Sequence, residues 1–133
     1  MNVKSLSLAA IALTMFAGSA FAHHSFAMFD AEKTVTMMGT VKDFEWTNPH
    51  VWLRVMVEDQ AGVARQWALE MGAPGQQTRV GWRPDTVKPG DKVTVTIHPL
   101  KDGSRGGQFM KVVLPSGQEL GDGGMRVNPR GNN

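Results

Sequence analysis

The sequence predicts an all-β domain with one short helix, in which five strands close into a barrel. Three observations support this prediction: short runs of alternating apolar residues recur along the chain, turn residues separate these runs, and one segment between the third and fourth runs favours a helix. The chain has 133 residues, which is the length of a single domain. It contains no cysteine, so its stability depends on packing and not on disulfides.

The alternation is clearest between Gly39 and Val57, where two strands meet at the turn Asn48-Pro49. Strand 1 is predicted over residues 34–46 with a bend or bulge at Gly39, because its apolar residues change parity along the strand. The apolar residues at odd-numbered positions, which face one side, are Val35, Met37 and Val41. Those at even-numbered positions, which face the other side, are Met38, Phe44 and Trp46. Strand 2 is predicted over residues 50–57. Its inner face is aliphatic, and its outer face carries Trp52, Arg54 and Met56.

The remaining elements follow from similar patterns. Strand 3 is predicted over residues 65–71, a helix over 76–80, strand 4 over 92–98, strand 5 over 109–114 and an edge strand over 118–120. Pro74 and Gly81 are typical boundaries for the helix, and Trp82 is expected to fill the core beneath it. Three strands, a helix and two further strands, with a bent first strand, form the order of an OB-fold barrel. Another small β-barrel or a β-sandwich is the alternative.

The N-terminal segment has the features of a secretory signal peptide. A positive start at Lys4 precedes an apolar run over residues 6–16, which is short for a membrane span, and Ala20-Phe21-Ala22 fits the signal peptidase rule. We therefore predict a periplasmic protein whose signal peptide is cut after Ala22. The predicted organisation is a signal peptide at 1–22, a leader at 23–33, the barrel at 34–120 and a disordered tail at 121–133.

The charge of the processed chain is close to zero. Removal of Lys4 reduces the 14 Lys and Arg residues to 13, against 12 Asp and Glu, which leaves a formal charge of +1. Nucleic-acid binding is therefore not expected, because it requires a basic stripe. The processed protein is also predicted to be a monomer without a membrane span. It is predicted not to be an enzyme, since no carboxylate pair or nucleophile motif stands out.

A candidate site follows from the predicted topology. OB folds usually bind ligands on strands 2 and 3, between the loop joining strands 1 and 2 and the loop joining strands 4 and 5. The first loop leads into His50, and the second begins at His98 and carries Lys101 and Arg105. The predicted ligand-binding residues are Trp46, His50, Trp52, Arg54 and His98. The alternative is that these side chains are merely solvated or cover the barrel edge.

A second candidate site lies at the predicted mature N-terminus. Cleavage would give His23 a free amine beside its imidazole, with His24 next to it. Nitrogen donors in one short chelate favour Cu(II), and this pattern resembles the histidine brace of lytic polysaccharide monooxygenases and of some periplasmic copper-binding proteins. The predicted copper ligands are His23, His24 and either His50 or His98. Alternatively, the two histidines simply follow the cleavage site, and Phe26 and Phe29 pack to hold the terminus.

Three parts of the chain resemble a known family. They are HHSFAMFD at 23–30, GTVxxFxWxNPH at 39–50, and the later GW and KPGD segments. Together they resemble a family of small exported proteins of Gram-negative bacteria that is described as a domain of unknown function. The resemblance extends from His23 to about Leu120 and implies a secreted or periplasmic β-domain, without supplying a ligand or a catalytic residue. We therefore predict a non-catalytic periplasmic domain that binds a partner protein or a small ligand, with copper binding as the alternative.

Overall fold

The computed structural model describes residues 26–124, which contain six strands and a short helix. The elements are β1 at Val35–Glu45, β2 at Trp52–Glu58, β3 at Ala64–Glu70, α1 at Pro74–Arg79, β4 at Lys92–Pro99, β5 at Gly106–Val113 and β6 at Glu119–Gly121. Each predicted element is present, with ends displaced by a few residues. The predicted signal peptide, His23, His24 and residues 125–133 lie outside the described residues. Within residues 26–124, no helix is long and apolar enough to cross a membrane.

The first five strands close into a barrel. Their order is β3-β2-β1-β4-β5, and β5 returns to pair with β3 in the only parallel pairing among the described strands. β1 belongs to two ladders, because its first half pairs with β4 and its second half pairs with β2. The helix α1 lies between β3 and β4 in the chain, and β6 extends the sheet beyond β5. This is the OB-fold topology, and it confirms the predicted fold class.

β1 changes its buried face at a bulge between Val41 and Asp43. The extra residue resets the alternation, so that Val41 and Phe44 both contact the core. The predicted bend at Gly39 is therefore displaced. Gly39 instead lets β2 approach closely, since a Cβ there would lie 2.9 Å from the carbonyl oxygen of Met56. Placing Met38 on the second buried face is also wrong, because this residue precedes the bulge and is 75% exposed.

The core fills the barrel interior with aliphatic side chains from all five strands and seals it with Trp82. Trp82 is fully buried, as the sequence predicts, and its ring lies 5.6 Å from those of both Phe44 and Phe109. The buried apolar residues of this cluster are Val41, Val51, Leu53, Val55, Leu69, Met71, Trp82, Val87, Val93, Val95, Ile97, Phe109, Val112 and Leu120.

The packed region continues past the predicted end of the barrel at residue 120. Nε1 of Trp82 donates to the carbonyl oxygen of Gly121 at 2.8 Å, and the Gly123 amide donates to Oε1 of Gln77 at 3.1 Å. The Gly72 amide donates to Oδ1 of Asp122 at 3.0 Å. The predicted start of the tail is therefore corrected for residues 121–124. Their sequence is poor in apolar residues, but polar groups around α1 hold them in place.

Candidate functional site

Cross-strand register places five side chains in one row around the barrel. Glu45 is opposite Trp52, Trp52 is opposite Glu70, Glu70 is opposite Gln108, and Gln108 is opposite His98. Cross-strand neighbours of this kind lie about 4.5–5.5 Å apart at Cβ in regular pairs. Closure of β3 onto β5 thus brings Glu70 and Gln108 between the two loops that the sequence predicts to form a site.

His50 lies at the end of the β1–β2 loop, where its ring is held by two groups. Its Nδ1 is 2.9 Å from the carbonyl oxygen of Met71, and Nδ1 is the donor because a carbonyl oxygen only accepts. Its Nε2 lies 3.4 Å from Oε1 of Glu70. In the neutral ring, Nε2 therefore carries a lone pair. In the protonated ring, the same atom forms an ion pair with Glu70.

Glu70 is the site residue that the sequence analysis missed. Its side chain is only 15% exposed, and burial raises the pKa of its carboxyl above the ordinary value of 4.5. The positive charge of a protonated His50 beside it opposes this rise in pKa. The hairpin register would have shown that Glu70 faces Trp52 on the outer side of the barrel. It would not have shown that the β1–β2 loop places the ring of His50 beside the Glu70 carboxyl.

A cavity of about 230 Å³ opens beside the His50–Glu70 pair. Its walls come from the leader, the start of α1, β5 and the segment after β6. The lining residues are Phe26, Phe29, His50, Glu70, Met71, Gly72, Gln76, Gln108, Asp122 and Gly124. Among the described residues, no lysine or arginine lines this cavity. It is a mostly apolar space with a few converging polar groups, which is typical of small-ligand sites.

The leader reaches the cavity by pairing with the start of the β4–β5 loop. Phe29 forms a bridge with Leu100, the Lys101 amide donates to the Met28 carbonyl at 2.9 Å, and the Asp30 amide donates to the Pro99 carbonyl at 2.8 Å. Phe29 is buried, whereas Phe26 is 58% exposed at the edge of the cavity. Residues 26–30 are therefore part of the packed domain and form one wall of the site.

The other predicted ligand-binding residues do not line this cavity. The Arg54 guanidinium lies 3.2 Å from Oδ2 of Asp43 and 2.6 Å from Oε1 of Glu45, so two carboxylates neutralise it. Trp52 stands in the row between Glu45 and Glu70. Of the five predicted residues, only His50 lines the cavity; the others lie elsewhere on the barrel, namely Trp46, Trp52, Arg54 and His98.

The two predicted histidines have different partners. His98 donates from Nδ1 to the carbonyl oxygen of Lys33 at 2.7 Å, whereas His50 is held by Met71 and Glu70. Residues 26–124 contain no group of three or more His, Asp or Glu side chains placed to hold a metal ion. The predicted copper ligands His23 and His24 lie outside the described residues.

A larger groove of about 640 Å³ crosses the outer face of the barrel at another place. Met38 and Met56 lie in it, and its ionisable residues Glu58 and Lys92 are exposed. This groove lacks the buried carboxyl and the oriented imidazole that meet at the smaller cavity. The chemistry therefore favours the smaller cavity as the functional site.

Comparison with known proteins identifies the family. A family model described as a family of unknown function, DUF6152, matches residues 10–109. The chain belongs to this family. The DUF6152 match includes His50, Glu70 and Gln108, whereas Asp122 lies beyond it. No curated protein matches the sequence. The solved structure of the mitochondrial single-stranded DNA binding protein Rim1 from S. cerevisiae is similar at a TM-score of 0.45 and 13% identity, covering 62% of this chain and 94% of that chain.

Proposed function

We propose that the protein is an exported, non-catalytic domain that binds a small ligand in the cavity beside His50 and Glu70. The observation that carries this proposal is the orientation of His50. Because Nδ1 is bonded to the Met71 carbonyl, Nε2 is directed to the Glu70 carboxyl at the cavity wall. A fixed polar pair within a mostly apolar cavity is suited to orienting a ligand.

The cavity lining supports a binding role over catalysis. Among the described residues, the lining contains no serine, threonine or lysine that His50 could activate as a nucleophile. The residues around Arg54 likewise give no support to nucleic-acid binding, because its guanidinium is paired with two carboxylates on β1. Export to the periplasm is supported by the apolar run and the cleavage signal that ends at Ala22.

Histidine-selective NMR tests this proposal with few signals to assign. The chain contains four histidines, of which His50 faces the cavity and His98 is held by the Lys33 carbonyl. The protein is expressed with its own signal, and its intact mass should correspond to a start at His23. Imidazole-labelled protein is then titrated with panels of small amines, carboxylates, phosphates and sugars.

At least one ligand class should shift the His50 ring signals in a saturable manner while those of His98 stay in place. Substitution of His50→Phe removes this signal, so binding to the variant is measured by isothermal titration calorimetry beside the wild type. The variant should no longer bind the ligand, and circular dichroism should show an unchanged fold. The proposal is wrong if no panel shifts the His50 signals, or if each shift of the His50 signals is accompanied by an equal shift of the His98 signals. An intact mass that corresponds to a protein still containing residues 1–22 would refute the export part of the proposal separately.

Copper binding is a second candidate function, favoured by the position of Phe26. This residue lines the cavity that His50 faces and follows His23 by three residues, a distance of at most about 11 Å between Cα atoms. Histidines that bind metals commonly donate their other ring N–H to a carbonyl, as His50 does. We therefore propose, as the alternative, a Cu(II) site formed by His23, His24 and His50, with His98 as the other candidate ligand.

Electron paramagnetic resonance of the Cu(II)-titrated protein tests this alternative. The spectrum should lose its signature of nitrogen coordination when one residue is added before His23. The His50→Gln substitution should weaken the affinity for Cu(II) at least tenfold. His98→Gln separates the two candidate ligands, because His98 has a similar bond to a carbonyl but does not line the cavity. It should leave copper binding unchanged if His50 is the ligand, and a loss confined to His98→Gln would assign the ligand to His98. Copper binding that tolerates the added residue would contradict the proposed site.

A further inference from the structure

We propose that the cavity recognises a small organic cation, in which a primary ammonium group is attached to a short apolar chain. This inference rests on the proposed ligand-binding function and specifies the chemical class of the ligand. It combines three features of the cavity: its hydrogen-bond acceptors, its charge and its aromatic walls.

The two carboxylates at the cavity are acceptors, and the side-chain amides of Gln76 and Gln108 can both donate and accept. Glu70 contributes a carboxylate, whose polar contact among the described residues is Nε2 of His50 at 3.4 Å. Asp122 contributes a second carboxylate; its Oδ1 accepts from the Gly72 and Gly124 amides and from Nε2 of Gln77. Oδ2 of Asp122 has no hydrogen-bond partner within residues 26–124. An ammonium group carries three donors and no acceptor, so it complements this set.

The charges of the cavity lining also favour a cationic ligand. Its ionisable residues are Glu70, Asp122 and His50, and none of the described lysines or arginines lines the cavity. A bound carboxylate or phosphate would face two carboxylates without a lysine or arginine side chain to pair with. A cation gains attraction from the same groups, and this attraction is strengthened because Glu70 is largely removed from water.

The aromatic and apolar walls accommodate the rest of such a ligand. Phe26 and Phe29 supply two rings from the leader. Aromatic faces attract ammonium groups and also bury aliphatic carbon. The volume of about 230 Å³ corresponds to between seven and eight water molecules at ~30 Å³ each, which suits a ligand of six or seven heavy atoms. n-Pentylammonium is a probe of this size.

Three probes with the same five-carbon chain distinguish the contribution of charge to binding from that of apolar contact. The processed protein, labelled on its histidine rings, is titrated with n-pentylammonium, 1-pentanol and pentanoate at constant ionic strength and pH 7.5. n-Pentylammonium should shift the His50 signals and bind at least tenfold more tightly than 1-pentanol. Pentanoate should cause no saturable shift at His50.

Charge-removing variants show whether the cavity carboxylates are responsible. Glu70→Gln should weaken n-pentylammonium binding at least tenfold, and Asp122→Asn should weaken it several-fold while keeping an acceptor for the Gly72 amide. Glu45→Gln is the matched control, because Glu45 stands in the same cross-strand row but does not line the cavity. It should bind like the wild type.

The outcomes distinguish this inference from the broader function. If pentanoate or 1-pentanol binds at His50 as tightly as n-pentylammonium, the cationic ligand class is wrong and the binding function stands. If Glu70→Gln and Asp122→Asn both retain wild-type affinity, the assignment to these carboxylates is overturned. If no compound of any panel moves His50, the proposed function and this inference fail together.

Discussion

At the scale of single residues, Glu70 combines burial with a single charged neighbour. Because burial raises the pKa of Glu70, the folded protein holds its proton at pH values where the unfolded chain has released it. Between the ordinary pKa of 4.5 and the raised value, the folded state therefore binds more protons than the unfolded state. The contribution of Glu70 to the free energy of unfolding therefore falls as the pH rises through this range.

Glu70→Gln should remove this contribution to the pH dependence. Thermal unfolding of the wild type and the variant, measured in steps upward from pH 4, should show the wild type losing stability relative to Glu70→Gln until Glu70 is ionised in both states. The difference should then remain constant. Glu45→Gln should keep the wild-type slope, since Glu70 is still present. Parallel curves for the wild type and Glu70→Gln would show that burial imposes no penalty on the charged carboxyl.

Arg54 shows how a correct element assignment can still mislead about function. The alternation of β2 places Arg54 on the outer face, as predicted, where an unpaired guanidinium would suit an anionic ligand. The β1–β2 ladder, however, brings Asp43 and Glu45 within 3.2 Å and 2.6 Å of it. The side chain is thereby part of a partly exposed ion-pair network on the barrel.

At the scale of secondary-structure elements, the approach of β5 to β4 depends on Gly107. A Cβ at this position would meet the carbonyl oxygen of His98 and lie 2.8 Å from Cδ1 of Ile97. Both neighbours belong to β4, and Ile97 is fully buried, so neither can move away freely. The glycine therefore sets the close spacing of the two strands next to the start of the β4–β5 loop.

Gly107→Ala should lower the free energy of unfolding by about 1–3 kcal/mol, the usual cost of overpacking. Gly75→Ala is the matched control, because Gly75 lies in α1 with open space where its Cβ would be. That change should leave stability unchanged or raise it by at most about 1 kcal/mol. Urea unfolding measures both. Equal effects of the two substitutions would contradict the close approach at Gly107.

At the scale of the whole molecule, the cavity depends on both ends of the described chain. Phe26 and Phe29 reach it from the leader, and Asp122 and Gly124 reach it after β6. Asp122 is bonded to the Gly72 amide and to the side chain of Gln77, which is fully buried. The C-terminal segment therefore ties α1 to the barrel and forms a wall of the candidate site.

Asp122→Ala should destabilise the protein by about 1–3 kcal/mol, because it leaves the buried donor of Gln77 without its acceptor. Asp122→Asn retains an oxygen at the same place and should cost less than half as much. Chemical denaturation of the two variants beside the wild type provides the measurement. If Asp122→Ala unfolds at the wild-type denaturant concentration, the segment does not contribute to holding α1.

Alternation and turn chemistry are local properties of the chain, and they were sufficient to predict the class of fold, the order of its elements and the burial of Trp82. They also placed His50 where the loop between strands 1 and 2 meets strand 2. Three features could be seen only in the folded chain: His50 meets Glu70, two carboxylates neutralise Arg54, and residues 121–124 close the site. These contacts join strands and loops far apart in the chain, and they depend on the bulge in β1 and on the closure of β3 onto β5. The parity change in strand 1 predicted a bulge but placed it at Gly39 instead of between Val41 and Asp43, and the closure of β3 onto β5 leaves no periodic signal in the sequence.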